Sequence, residues 1–93
     1  MEKCMSFYMT AGIGADVDND PTFACEIGAI IHRFVCNDWG DLCWEDQQAN
    51  LQAQKDGGRV LAVYETSRGR VYVITDDTQA NPMVTTILYT DEY

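Results

Sequence analysis

Three runs rich in Val, Ile, Tyr and Thr occupy the last third of the chain and constrain its fold more than any other feature. They span residues 59–65, 70–75 and 84–90. Side chains of this kind suit the pleated, half-buried surface of a sheet. The turn at residues 67–69 fits a short hairpin with Gly69 at the position of positive φ, and residues 76–83 form a longer loop. The pattern therefore predicts a three-stranded antiparallel meander.

One strand and two helices are predicted before the meander. Residues 5–13 are interpreted as a first strand, which breaks at the glycines and the acidic run of residues 16–20. Asp20 followed by Pro21 favours a helix start, because Asp caps free amides and Pro at the first helical position loses only an unpaired N–H. The first helix, residues 21–36, carries an apolar stripe of Phe23, Ile27, Ile30, Ile31 and Phe34. A second, weakly striped helix begins at residue 42 or 44 and ends at residue 55, before two glycines.

These elements predict an α+β fold in one small domain that spans residues 1–93. A chain of 93 residues with 46% hydrophobic side chains can bury a single core of modest size. The predicted architecture is an antiparallel sheet of about four strands, formed by the N-terminal strand and the meander and covered by the two helices.

The chain is strongly acidic. Fifteen acidic and six basic side chains give a formal charge of -9. This balance argues against direct nucleic-acid binding, where Lys and Arg must replace the counterions of the phosphate backbone. A basic partner surface is the natural complement, although acidity also serves solubility alone.

The expected location is the cytoplasm, without membrane attachment. The N-terminal residues lack the basic segment and apolar run of a signal peptide, and no stretch approaches the ~20 apolar residues that span a bilayer. In a reducing compartment the four cysteines are expected to be thiols, several of them filling the core. They are Cys4, Cys25, Cys36 and Cys43.

Neither a metal site nor a cofactor is predicted. Residues 16–20 resemble the opening of a calcium loop, but Pro21 stands where the loop needs Gly and Ile27 where it needs a bidentate Glu. His32 and Cys36 are one helical turn apart, yet the paired C-x2-C ligands of zinc sites do not occur.

A non-enzymatic protein is predicted, because no catalytic set can be assembled from the spacing. His32 is the single His and thus the sole imidazole candidate for activating a Cys or Ser nucleophile. No phosphate-binding loop motif is present.

The segment from Trp39 to Trp44 is the strongest candidate site. Two tryptophans within six residues, next to Glu45 and Asp46, combine rigid contact area with negative charge. The alternative interpretation is that a tryptophan of this loop, Trp39 above all, folds down to seal the core between the two helices.

Several motifs in order resemble a family of small uncharacterised proteins carried on plasmids, integrative elements and phages of Firmicutes and gut bacteria. They are DWGDL at residues 38–42, ED at 45–46, Asn50, GRVLAVY at 58–64, VYVIT at 71–75, TTIL at 85–88 and DEY at 91–93. The resemblance covers most of the chain from about His32 onward. The chain departs from the family in residues 76–82, which are longer than the corresponding link and contain no Arg.

The resemblance implies a mobile-element context, where small acidic proteins often inhibit host defence nucleases, as anti-CRISPR and anti-restriction proteins do. On this interpretation the chain binds the basic, nucleic-acid-binding surface of a defence protein stoichiometrically, through acidic and aromatic side chains. The candidate partner-binding residues are Trp39, Trp44, Glu45, Asp46, Asp76, Asp77, Asp91 and Glu92.

An alternative function is that of an oligomer, such as a homodimer, which binds or sequesters a small nucleotide signal. Arginines would meet the phosphate while an aromatic ring stacks on the base. The candidate residues are Arg59, Arg68 and Arg70, which cluster around the predicted hairpin.

Overall fold

Three helices and a four-stranded sheet form the protein, whose computed structural model describes residues 5–93. The elements in chain order are β1 (Met5–Met9), α1 (Ala11–Asn19), α2 (Pro21–Val35), α3 (Trp44–Asp56), β2 (Val60–Thr66), β3 (Gly69–Thr75) and β4 (Met83–Tyr89), followed by a 3-10 turn at Thr90–Glu92. The predicted α+β class is confirmed, and each strand of the meander lies within one residue of its predicted start and end.

The sheet has the strand order β1-β4-β3-β2 and is mixed rather than wholly antiparallel. β2, β3 and β4 form the predicted antiparallel meander, but β1 runs parallel to β4. The antiparallel prediction is therefore wrong for this pair. Parallel neighbours need a long crossover, and here the whole chain from α1 to β3 connects them, so no local turn in the sequence could reveal the direction of β1.

The prediction of two helices is also wrong, because residues 11–19 form a helix instead of a strand end and an acidic break. Thr10 caps α1 by accepting a hydrogen bond from the Ile13 amide at 3.4 Å. Glycine is a poor helix former, which hid this helix, but Ile13 is fully buried in the core and its packing outweighs the weak local preference. Asp20 then caps α2 through the amides of Thr22 and Phe23, as predicted.

The core lies between one face of the sheet and α1 and α2. Phe23, Ile27, Ile30 and Phe34 of the predicted stripe are buried, while Ile31 is partly buried. Opposite them lie alternate residues of the three meander strands, namely Val60, Ala62, Tyr64, Val71, Val73 and Ile87. The hydroxyl groups of Thr75 and Thr85, 2.7 Å apart, pair within the buried region.

The expectation that several cysteines fill the core is wrong for the three that the structure describes. Cys25, Cys36 and Cys43 are exposed free thiols, and Cys4 lies outside the described residues. Cys25 and Cys36 fall outside the helical spacing of the buried stripe. Within residues 5–93, no helix is both long enough and apolar enough to cross a membrane.

Candidate partner-binding surface

Residues 38–42, the first part of the candidate segment, are pinned against the edge of the sheet. The Val63 amide donates to the Trp39 carbonyl at 3.1 Å, and the Asp41 amide donates to the Val63 carbonyl at 2.9 Å. Between them Gly40 has φ +75°, and a Cβ there would lie 2.0 Å from the Val63 carbonyl oxygen. Only glycine therefore fits this close backbone approach.

Asp38 and its neighbours fasten the same segment from the other side. The Arg33 guanidinium donates to both Asp38 carboxylate oxygens, at 2.8 and 3.1 Å, and lies 5.0 Å from the centre of the Tyr64 ring. The Tyr64 hydroxyl donates to the Asp38 carbonyl at 2.6 Å. Hydrogen bonds from Arg33 and from the Gly40 amide hold the pKa of the Asp38 carboxyl below its usual range. These contacts bind the loop to the core rather than to a partner.

The Trp39 side chain also attaches this loop to the core. Its side chain is only 6% exposed and joins the core cluster with Phe34 and Val60. Its inclusion among the partner-binding residues is therefore wrong, and the interpretation that it seals the core is correct.

Trp44, by contrast, is 70% exposed, more than any other large hydrophobic side chain in the part of the chain that the structure describes. It begins α3 just after the buried Leu42, whose carbonyl accepts a hydrogen bond from the Gln47 side chain at 2.9 Å. Glu45 and Asp46 follow in the exposed first turn, where negative charge interacts favourably with the helix dipole. We call Trp44, Glu45 and Asp46 the Trp44 corner.

The Trp44 corner combines a rigid aromatic side chain with two available carboxylates. No salt bridge among residues 5–93 involves Glu45 or Asp46. The neighbouring thiol of Cys43 has a raised pKa: a hydrogen bond from the Asp46 amide lowers it, but the Asp46 carboxylate and partial desolvation outweigh that effect. Cys43 is therefore protonated at neutral pH, and a protonated thiol is a poor nucleophile.

The remaining acidic candidates lie at two other places. Asp76 and Asp77 follow the end of β3, and Asp77 accepts a hydrogen bond from the Gln79 amide at 2.9 Å. Asp91 and Glu92 lie in the 3-10 turn after β4, where Glu92 accepts from the Thr10 hydroxyl and the Tyr89 amide. The two pairs stand at opposite ends of the sheet, about 20 Å apart for strands of this length, and therefore do not form one surface with each other.

Each candidate arginine of the alternative function already has a partner within the chain. Arg68 contacts Asp20 at 3.0 Å and Asp16 at 3.4 Å. Arg70 contacts Glu65 at 2.5 Å. These two arginines border a depression of about 420 Å³ together with Tyr89.

Arg59 lies at the other end of β2, where it donates to the Tyr93 hydroxyl. The three arginines therefore do not converge on one phosphate-sized position.

A cavity of about 340 Å³ opens at the end of the sheet where β2 and β4 begin. Phe34 and Trp39 contribute apolar surface, and the paired amides of Asn37 and Gln54, 3.0 Å apart, contribute polar groups. None of the residues that line it is charged. Sequence reasoning missed this cavity because its walls come from separate elements, which only the fold brings together.

Potential metal ligands are scattered. Among the described residues, no group of three or more His, Cys, Asp and Glu side chains could hold a metal ion. His32 and Cys36 approach to 3.9 Å as a pair. Asp16 and Asp20, from the acidic run, meet Arg68 instead.

Compared with known proteins, the chain matches no protein-family model, no curated protein and no solved structure.

Proposed function

We propose that this protein is a non-enzymatic binding domain that docks the Trp44 corner onto a basic surface of a partner protein. The exposure of Trp44 at the rigid start of a helix, beside two carboxylates, carries the proposal. Large exposed apolar side chains rimmed by polar groups mark interaction sites. Tryptophan is also among the residues that contribute most binding energy when an interface buries them.

The internal pairing of the arginines supports a basic partner. Arg33, Arg68 and Arg70 each contact a carboxylate of the same chain, so much of the positive charge is used internally. The excess of acidic groups, which gives the chain its charge of -9, is left to the remaining surface. A field of this sign attracts Lys- and Arg-rich surfaces over long range and accelerates association at low salt.

The partner class that best fits is a host defence nuclease, held at its nucleic-acid-binding surface. Such a surface already accepts phosphates, and the carboxylates of Glu45 and Asp46 would take their place. The resemblance to proteins of plasmids, integrative elements and phages supports this anti-CRISPR or anti-restriction type of action in the host cytoplasm. Inhibition of this kind is stoichiometric and needs no catalytic residue.

A second candidate function, small-molecule binding, is favoured by the 340 Å³ cavity rather than by the arginines. Its volume is at the lower end of the ~300–1,000 Å³ of known ligand pockets. Because no charged side chain lines it, a neutral aromatic ligand fits it better than a nucleotide phosphate does.

The decisive experiment is affinity capture from host lysate, with mass-spectrometric identification of captured proteins and co-purifying small molecules. The wild-type chain is compared with a Glu45→Lys, Asp46→Lys variant. A control variant, Asp18→Lys with Asp56→Lys, changes the total charge equally at exposed sites of α1 and α3 away from the corner. We expect the corner variant to lose a nucleic-acid-binding protein that the wild type and the control retain, with a melting temperature only slightly lowered by the lost interaction with the helix dipole.

Three results would count against this function. Equal loss of the partner in both variants would indicate a nonspecific charge effect. Loss of folding in the corner variant would show that Glu45 and Asp46 stabilise the fold rather than bind a partner. Stoichiometric recovery of a small molecule, without a protein, would favour small-molecule binding in the cavity as the function.

A further inference from the structure

The sheet face that points away from α1 and α2 carries apolar and aromatic side chains, and we call it the open face. Strand register places two rows of side chains across it: Tyr8, Thr86, Ile74 and Leu61 in the first, and Leu88, Tyr72 and Val63 in the second. α1 and α2 pack on the opposite, core face, and α3 lies beside β2 at the edge. The open face therefore has no helical layer of its own within residues 5–93.

Val63, Ile74 and Leu88 on the open face are buried, but several large side chains around them remain accessible. Tyr8 is 56% exposed and Val84 39% exposed, although both belong to strands. Tyr93 folds back over the face, where its ring packs edge-on against Tyr72 at 5.5 Å and its hydroxyl accepts from Arg59, yet it is 68% exposed. The accessible apolar surface of the open face is thus formed mainly by Tyr8, Val84 and Tyr93.

Charge distinguishes the open face from the rest of the molecule. Its margin carries two arginines and three carboxylates, namely Arg59, Arg70, Asp41, Glu65 and Asp76, and Arg70 contacts both Glu65 and Asp41. The open face is thus nearly neutral, whereas the whole chain has a charge of -9. A strongly basic partner gains little there, because attraction depends on opposite charge.

We propose that the open face is a self-association surface, on which two copies of this chain stack sheet against sheet. Like charge repels two copies along any other approach, so the neutral, apolar face is where a second copy meets least electrostatic cost. A two-fold contact of this kind pairs the same patch on both subunits. It would bring Tyr8, Val84 and Tyr93 out of water together.

The size of the face predicts a reversible dimer. Four strands of five to seven residues cover roughly 19 by 20 Å, so stacking two faces covers about 800 Å², the size of a weak, reversible contact. The dimer would hold two Trp44 corners outside the interface, because each corner lies on α3 beside the edge of the sheet. The proposal does not depend on what the corner binds.

Sedimentation equilibrium across a wide concentration range tests this proposal. We expect concentration-dependent dimerisation of the wild type. A Tyr8→Glu, Val84→Glu variant should weaken it at least about tenfold, because each interface would then bury uncompensated negative charge. The matched control, Val35→Glu with Leu51→Glu, places the same charges at exposed apolar positions on α2 and α3 and should leave the dimer intact.

A further variant, Tyr93→Glu, lies outside the strands and tests the same face without changing the sheet. It should weaken the dimer in the same direction, with an unchanged circular dichroism spectrum. A wild type that sediments as a monomer at every concentration would overturn the proposal. So would a control variant that dissociates as strongly as the variants of the open face.

Discussion

Trp39 and Trp44 lie five positions apart, and the protein uses them in opposite ways. Trp39 is 6% exposed and held between the sheet edge and α2, while Trp44 is 70% exposed at the start of α3. The backbone around Trp39 pairs with β2, but the backbone around Trp44 already belongs to a helix. The same residue type is therefore a core component in one position and an exposed surface side chain in the other.

The carboxylates beside the two tryptophans differ in the same way, because only those beside Trp39 are paired with arginines. Asp38 is occupied by Arg33, and Asp41 lies 4.0 Å from Arg70. Glu45 and Asp46 have no such cation within residues 5–93. The acidic segment therefore has two parts with different roles. Residues 38–42 are held by contacts within the chain, whereas the carboxylates of the Trp44 corner are not paired with a cation.

Alanine substitution of each tryptophan tests this comparison most strongly. Trp39→Ala removes a buried aromatic ring and should lower the free energy of unfolding by about 3–5 kcal/mol. Trp44→Ala removes an exposed ring and should change it by no more than about 0.5 kcal/mol. Denaturant unfolding followed by far-UV circular dichroism measures both. Similar losses in the two variants would mean that Trp44 also belongs to the core.

Glycine replacement tests whether residues 38–42 are pinned through the backbone. Gly40→Ala forces a Cβ toward the Val63 carbonyl at positive φ and should cost about 1–3 kcal/mol of stability. The control, Gly14→Ala in α1, adds a Cβ with no atom within 4 Å and should stabilise the protein by about 0.5–1 kcal/mol. Thermal unfolding of the two variants should therefore shift in opposite directions, and a neutral Gly40→Ala would contradict the backbone pairing.

Alkaline pH gives a smaller and more specific test of the same segment. Burial raises the pKa of the Tyr64 hydroxyl above the ordinary value of 10.0, although Arg33 nearby lowers it. A raised folded-state pKa contributes stability that is fully present below the unfolded value and is lost as pH rises toward the folded value. The melting temperature should therefore fall above about pH 10.

A Tyr64→Phe variant provides the control for that pH profile. It loses the hydrogen bond to Asp38 and should be less stable at neutral pH. Its melting temperature should then decline less steeply than that of the wild type above pH 10. Tyr89, whose pKa burial and an Asp16 hydrogen bond raise to about 12, remains in both proteins and contributes equally. Parallel alkaline profiles would exclude Tyr64 as a source of the decline.

Local signals explain which elements could be predicted. The Asp20-Pro21 start of α2, its apolar stripe and the hairpin at Gly69 each depend on neighbours along the chain, and each was predicted. α1 was missed because its glycines weaken the local helical signal, and only the burial of Ile13 compensates. The parallel direction of β1 was missed for a similar reason, since it depends on a partner strand more than seventy residues away.

The candidate site likewise has features that the sequence predicts and features that only the fold shows. Composition alone indicated an acidic aromatic segment, and Trp44, Glu45 and Asp46 remain candidates on an exposed helix start. The burial of Trp39 and the separation of Asp76 from Asp91 depend on the strand topology, which the spacing of residues along the sequence does not reveal. The pairing of Arg68 with Asp16 and Asp20 likewise joins residues about fifty positions apart.

Periodicity, turn chemistry and composition act locally or as simple sums, and they are enough to predict the class of the fold, the meander and the negative charge. Long-range packing sets which acidic groups are neutralised by arginines, which tryptophan is buried and which sheet face has no helical cover. Those outcomes depend on contacts between residues distant in sequence. Burial and pairing are properties of an assembled surface rather than of any single segment.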